Sequence, residues 1–145
     1  MDGERSGDSK EPEEPEDMTL TVGDVVTAHF PTHDPAGHEQ EGYRPAVVVG
    51  LPALLGRPRF PLVILVPLTT DRGGQWTRDS PLLYPRLQRG SANLDSASVC
   101  LLDQIRAVGP RRLRRYRGSL TVSEYEPIRE GLVRMMEVDA DERDD

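Results

Sequence analysis

The sequence predicts a mainly β protein, a small twisted barrel covered by one C-terminal α-helix. Three observations predict it. Several short runs rich in β-branched residues are closed by proline- and glycine-bearing turns. One amphipathic run with a capping signal stands alone near the C-terminus. Between two acidic ends, the body at residues 18–136 is 41% hydrophobic, enough for one core, although the whole 145-residue chain is only 36% hydrophobic.

The elements follow in order. Asp24-Val25-Val26-Thr27-Ala28-His29-Phe30 alternates with Val26, Ala28 and Phe30 on one face, the pattern of a half-buried strand. Residues 31–43 are a loop rich in Pro, Gly, His and acid. Pro45-Ala46-Val47-Val48-Val49 is apolar on both faces and reads as a central strand. Gly56-Arg57-Pro58-Arg59 marks a turn, and a third strand, Phe60 to Val66, is expected to stop at Pro67, which cannot donate to a ladder. Residues 71–80, with Gly73-Gly74, form a polar loop. Ser98 to Leu102 and Gln104 to Val108 read as one long strand or two short ones. The helix carries Ile128, Leu132, Met135 and Met136 at helical spacing, with Ser123 and Glu126 as a capping box and Pro127 delaying its start.

Charge is unevenly distributed. Residues 1–17 carry −6 and residues 137–145 carry −5, leaving +4 on the body, whose basic residues are all arginine. An overall pI near 5.0 hides a body able to meet an anionic partner. Both ends lack apolar residues and are expected to be disordered tails around one domain at residues 18–136. No apolar run is long enough to span a bilayer, and the N-terminus has no signal-peptide core, so a soluble, cytoplasmic protein with no membrane partner is expected. The lone Cys100, in an apolar run, excludes a disulfide framework and reads as a buried thiol. His29, His33 and His38 lack the spacing and companion ligands of a metal site, so neither metal nor cofactor is expected.

Two segments can carry chemistry. Around Gly37-His38-Glu39-Gln40-Glu41-Gly42-Tyr43-Arg44-Pro45, a carboxylate, an amide and a guanidinium stand at the mouth of a buried strand. Pro45 holds Arg44 extended and so fixes where its side chain leaves the chain. The plainer reading is a solvated turn with a loose Glu39–Arg44 pair. At Val66-Pro67-Leu68-Thr69-Thr70 the two hydroxyls either contact a phosphate or cap a turn. Arg111, Arg112, Arg114, Arg115 and Arg117 either line a nucleic-acid groove or form a solvated basic edge. Tyr43 and Trp76 are candidates for stacking on unpaired bases.

Four segments together resemble the MazF/PemK family of type II toxin–antitoxin toxins. They are Gly23-Asp24-Val25, Glu39-Gln40-x-Gly42-x-Arg44-Pro45-Ala46-Val47-Val48, Val66-Pro67-Leu68-Thr69 and Leu102-Asp103-Gln104-Ile105-Arg106, and the likeness covers about residues 21–136. The resemblance implies an SH3-like barrel, a homodimer, and cleavage of single-stranded RNA, mRNA included, without a metal. It also implies inhibition by a cognate MazE-like antitoxin through an acidic disordered segment. Arg44 and Thr69 match the family's catalytic arginine and threonine. Glu39 and Gln40 match its acidic loop position and that position's neighbour, while His38 departs from the small residue frequent there.

RNA cleavage without metal uses the ribose 2′-OH, leaving a 2′,3′-cyclic phosphate and a 5′-OH. Arg44 suits stabilisation of charge on the phosphate oxygens, with Thr69 adding a neutral hydrogen bond. Glu39 is the expected base, with His38 a weaker candidate. Gln40, Tyr43, Thr70, His38, Arg57, Arg59 and Trp76 are the expected RNA contacts. The rivals are a non-enzymatic, CcdB-like gyrase poison and a barrel that only binds RNA or peptide. The tails either mimic RNA or antitoxin at the basic groove or serve solubility, and a flexible 17-residue tail reaches about 20 Å. Autoinhibition requires a chain of residues 18–136 to bind one RNA more tightly than the full chain at low salt. Their affinity ratio should fall toward one as the Debye length shrinks from about 10 Å at 0.1 M; a ratio near one throughout leaves solubility as the tails' role.

Overall fold

The computed structural model describes residues 19–31 and 42–137. The expected tails, and the loop carrying His33, His38, Glu39 and Gln40, lie outside the described residues. Seven strands and two helices follow in chain order: β1 (Asp24–Phe30), β2 (Gly42–Gly50), β3 (Val63–Thr70), α1 (Gln75–Asp79), β4 (Arg86–Leu87), β5 (Ser98–Cys100), β6 (Arg106–Val108), β7 (Leu113–Ser119) and α2 (Val122–Met136). They form one antiparallel sheet in the order β4-β5-β3-β2-β1-β7, with β6 also paired to β3. The mainly β class with a C-terminal helix is therefore borne out. The sheet is open rather than ring-closed: among the described residues no ladder joins β7 to β4.

Side-chain alternation gives the sheet two buried faces. On one, Val25, Val47, Val66 and Leu68 pack with Leu102 and with Ile128 of α2. On the other, Val26, Ala28, Phe30, Ala46, Val48 and Leu65 pack with Leu113. β1 keeps the expected alternation, with Val26, Ala28 and Phe30 buried and Thr27 and His29 only partly so, while Val25 joins the core under α2. Asp24, 3% exposed, is satisfied by Thr21 N at 2.8 Å and Ser119 Oγ at 2.6 Å, which ties the start of β1 to the end of β7.

One sequence expectation is corrected, and one that was left open is resolved. β3 starts at Val63 and runs through Pro67 to Thr70. The Pro67 carbonyl accepts from Leu101 N at 3.0 Å, so its nitrogen faces the same side. There β3 changes partner from β6 (at Val63–Leu65) to β5 (at Leu68–Thr70), and no donor is needed at the junction. The stretch expected as one strand or two is two, with a 3₁₀ turn at Leu102–Gln104 between them.

The helix begins earlier than expected. Its capping box is Thr121 with Glu124, not Ser123 with Glu126: Thr121 Oγ1 accepts from Glu124 N at 3.1 Å, and Thr121 N donates to Glu124 Oε1 at 2.8 Å. The Thr121 N–H, joined by the Ser91 hydroxyl at 2.9 Å, holds the Glu124 carboxyl below its ordinary pKa of 4.5. Pro127 lies inside α2 and forfeits one helical hydrogen bond. Gly131 is buried where α2 crosses the 3₁₀ turn, and a Cβ there would collide with Leu102 Cδ1 and come within 2.9 Å of the Leu82 carbonyl oxygen. Gly131→Ala should therefore destabilise the fold by about 1–2 kcal/mol, the overpacking outweighing alanine's helix preference of roughly 1 kcal/mol. Urea unfolding midpoints check this; an unchanged or higher midpoint would show that Leu102 yields freely.

Candidate functional site

The site is a consequence of how the β2–β3 ladder ends. Val48 accepts from Gly23 N at 2.8 Å, so its backbone polar groups face β1. Alternation then turns Ala46 toward β1, and Val47 and Pro45 toward β3. Val47 faces Val66 in register and Ala46 faces Pro67. The next hydrogen-bonded rung would join Pro45 to Leu68, and proline has no N–H to give it. The register ends at Ala46–Pro67, and beyond it a cleft of about 190 Å³ opens between the ends of the two strands.

Tyr43, Arg44 and Pro45 line the cleft from β2, and Leu68, Thr69 and Thr70 line it from β3. Leu94, Asp95, Ser96 and Ser98 form another wall, and Arg117 enters from β7. Continuing the Ala46–Pro67 register by two residues puts Arg44 opposite Thr69. β2 starts at Gly42, so Tyr43 and Arg44 are held by strand pairing to His29 and Ala28 rather than in a loose loop. The Tyr43 ring, 63% exposed, lies 4.8 Å from the His29 ring at 46°. His29 Nδ1 in turn lies 3.3 Å from Arg112 Nη1.

The structure thus brings Arg44, Thr69, Thr70 and Tyr43 together. Glu39, Gln40 and His38 lie outside the described residues. Arg57 and Arg59 sit in the β2–β3 connection, at the far end of a strand pair about 25 Å long, and the Arg59 guanidinium stacks over Phe60 at 5.3 Å. Trp76 lies on α1, edge-on to Tyr84 at 4.8 Å, and is not part of the cleft wall. Tyr84 donates to Asp103 Oδ2 at 2.7 Å. That bond to the carboxylate, then burial, raises the phenol's pKa.

The arginine-rich segment is β7 with the 3₁₀ turn before it, not a single basic array. Arg114 folds back onto the Arg111 carbonyl, Arg112 meets His29, and Arg117 alone of the five lines the cleft. Asp95, Ser96 and Ser98 escaped sequence reading because nothing in a polar stretch distinguishes a cleft wall from a surface turn. One signal existed: Ala92 and Asn93 adopt φ of 48° and 62°, and asparagine is among the few residues that tolerate this region. Among the described residues no group of three or more His, Cys, Asp or Glu could hold a metal ion. Burial pushes the Cys100 thiol up to about 12, so it stays neutral and unreactive.

Fold and cleft define a small helix-covered β protein with a guanidinium and hydroxyls gathered where a ladder is broken. Over residues 21–136 the chain matches the PemK-like, MazF-like toxins of type II toxin–antitoxin systems, and it belongs to that family. MazF from Deinococcus radiodurans is similar, with 25% identity, a TM-score of 0.60, and 82% of this chain and 97% of that one covered. An endoribonuclease solved with its cognate antitoxin from a mycobacterial species shares the fold at 18% identity and TM-score 0.58, covering 83% of this chain and 100% of that one. So does the Mycobacterium tuberculosis toxin MazF-mt6, at 20% identity and TM-score 0.55, covering 80% and 98%. Comparison with curated protein sequences finds no match.

Pro45→Ala tests the origin of the cleft. Supplying the missing N–H should let the rung to Leu68 form, giving a slowly exchanging amide at position 45 in hydrogen-exchange NMR. A rapidly exchanging amide there would show that something other than proline keeps the strands apart.

Proposed function

We propose that this toxin is a metal-independent endoribonuclease that cuts single-stranded RNA, mRNA included, in the cytoplasm. The observation that carries the reading is Arg44 and Thr69 lining one cleft, at the register position where the β2–β3 ladder breaks, in a chain of this family. The 2′-oxygen of the ribose attacks the adjacent phosphorus, and the bond from phosphorus to the 5′-oxygen breaks. The products are a 2′,3′-cyclic phosphate and a 5′-OH. The proton lost by the 2′-OH goes to a base, for which Glu39 is our assignment and His38 the reserve. Arginine, with a pKa above about 12, is no base. Arg44 instead offers two charge-assisted donors to the phosphate oxygens as their charge grows, and supplies the leaving 5′-oxygen with its proton. Thr69 adds one neutral hydrogen bond. The exposed Tyr43 ring offers a stacking face beside the reacting phosphate, and Gln40 and Thr70 complete the nearest RNA contacts.

Two protein partners belong to the same reading: a second copy of the chain in a two-fold dimer, and a MazE-like antitoxin whose acidic segment competes with RNA. The complex of the mycobacterial neighbour with its antitoxin supports the second. An apolar groove of about 390 Å³ beside α2, lined by Val49, Ile64, Ile105, Leu132, Val133 and Met136, supports burial against protein rather than nucleic acid.

The test is incubation of the pure protein with a long RNA in EDTA, followed by end analysis. Cleavage with cyclic-phosphate ends is expected. Intact RNA would leave a binding protein or a poison of another target. Arg44→Ala should lower the rate at least a hundredfold, about 3 kcal/mol of transition-state stabilisation, in a folded protein, and Thr69→Ala about ten- to a hundredfold. Near-native cleavage by folded Arg44→Ala would overturn the assignment.

A further inference from the structure

Arg117 brings a second guanidinium to the cleft, one with no role in the reaction above. Its side chain is 15% exposed. Nη1 donates to Thr27 Oγ1 at 3.3 Å and Nη2 to the Asn93 carbonyl at 3.4 Å, which fix the group to β1 and to the turn at Ser91–Asn93. That turn is clamped in return: Asn93 Nδ2 donates to the Arg117 carbonyl at 2.7 Å. Gly118 leaves room for it, since a Cβ there would lie 3.1 Å from the Ala92 backbone. The Arg117 Nε–H is buried with no partner among the described residues, so the guanidinium is held in place at a net desolvation cost, as happens at functional sites.

The remaining partner of Arg117 is of a different kind. Asp95 Oδ2 lies 3.2 Å from Nη2, yet the Asp95 side chain is 91% exposed. The cation is anchored in the wall and the anion is not. We propose that Arg117 is a second phosphate-binding residue of the cleft, and that the Asp95 carboxylate stands in for an RNA phosphate until RNA displaces it.

The proposal rests on the RNA-cleaving reading of this cleft. A carboxylate and a phosphodiester each present one negative charge and paired oxygens to a guanidinium fork. An ion pair with so exposed a partner contributes little, so it yields readily to a polyanion that makes further contacts at Arg44. Leu94, 4% exposed, pins the chain beside Asp95, so only the carboxylate needs to swing into solvent. Arg44 then meets the reacting phosphate and Arg117 a neighbouring one.

The experiment measures binding of the full-length protein to a single-stranded 2′-O-methyl RNA, which keeps the phosphates but lacks the nucleophile, in EDTA over a series of salt concentrations. KM for cleavage of unmodified RNA is measured alongside. Asp95→Asn should tighten binding about three- to tenfold at low salt, lower KM, and steepen the plot of log affinity against log salt by about one unit, since Arg117 then releases a small counterion when RNA binds. Glu130→Gln, on α2 outside the cleft, measures the effect of merely removing one negative charge and should change affinity less than twofold. Arg117→Gln should weaken binding at least fivefold and abolish the gain from Asp95→Asn in the double variant. Equal gains from Asp95→Asn and Glu130→Gln, or a gain that survives Arg117→Gln, overturn the proposal. If Arg117→Gln does not fold, the comparison of Asp95→Asn with Glu130→Gln and the salt slope decide. A wild-type protein that neither binds nor cuts RNA overturns the underlying reading as well. One that cuts RNA but is indifferent to Asp95→Asn overturns this proposal alone.

Discussion

The N–H that Pro45 lacks is the constraint on which the cleft depends. Up to the Ala46–Pro67 pair, β2 and β3 form an ordinary antiparallel ladder. One residue on, a donor is required that proline does not have, and the β2–β3 register ends there, while β3 pairs with β5 along its opposite edge. A continuous ladder would bury Arg44 and Thr69 as a cross-strand pair on a sheet surface. The broken one leaves them on opposite banks of a space that a phosphate can enter. Pro67 does the complementary work on the other side of β3, where its missing donor falls at the seam between β5 and β6 and leaves no orphan.

Separating two strands in this way is tolerable only if the strands are held firmly elsewhere. The two cores do this, one on each face of the central strands, with Val47 in one and its neighbours Ala46 and Val48 in the other. α2 closes the first core through Ile128 and Gly131, and its capping box holds its start against the Ser91 turn. Among the described residues the cleft therefore takes Arg44, Thr69 and Arg117 from strands held by the two cores.

Much of this was legible in the sequence, and the part that was not has a physical reason. The runs around Val26, Val48 and Leu65 declare strands because burial and β-branching agree there. The Arg44-Pro45 and Pro67-Leu68-Thr69 segments declare a site because proline fixes where the side chains emerge. β7 stayed hidden: Leu-Arg-Arg-Tyr-Arg-Gly-Ser has little strand character, and two irregularities in its pairing with β1 erase the alternation, so only Leu113 and Gly118 are buried. The capping box was misplaced by two residues because Ser123/Glu126 and Thr121/Glu124 have the same spacing, and only the backbone decides between them. Arg117 and Asp95 are 22 positions apart and meet only through the tertiary fold. Glu39, Gln40 and His38 lie outside the described residues, so their part in the site rests on sequence.

The pairing of β1 with β7 joins Asp24 to Ser119, nearly the full span of the domain. That span sets an order of events during synthesis. A chain that has been made only as far as β3 contains Arg44 and Thr69, but neither the strand that carries Arg117 nor the helix that covers the first core. Contacts of such long sequence separation form late. The cleft is therefore completed only once β7 and α2 are in place, and a chain that stops before them carries Arg44 and Thr69 without the wall that Arg117 supplies. The topology thus makes the cleft one of the last parts of the fold to be completed.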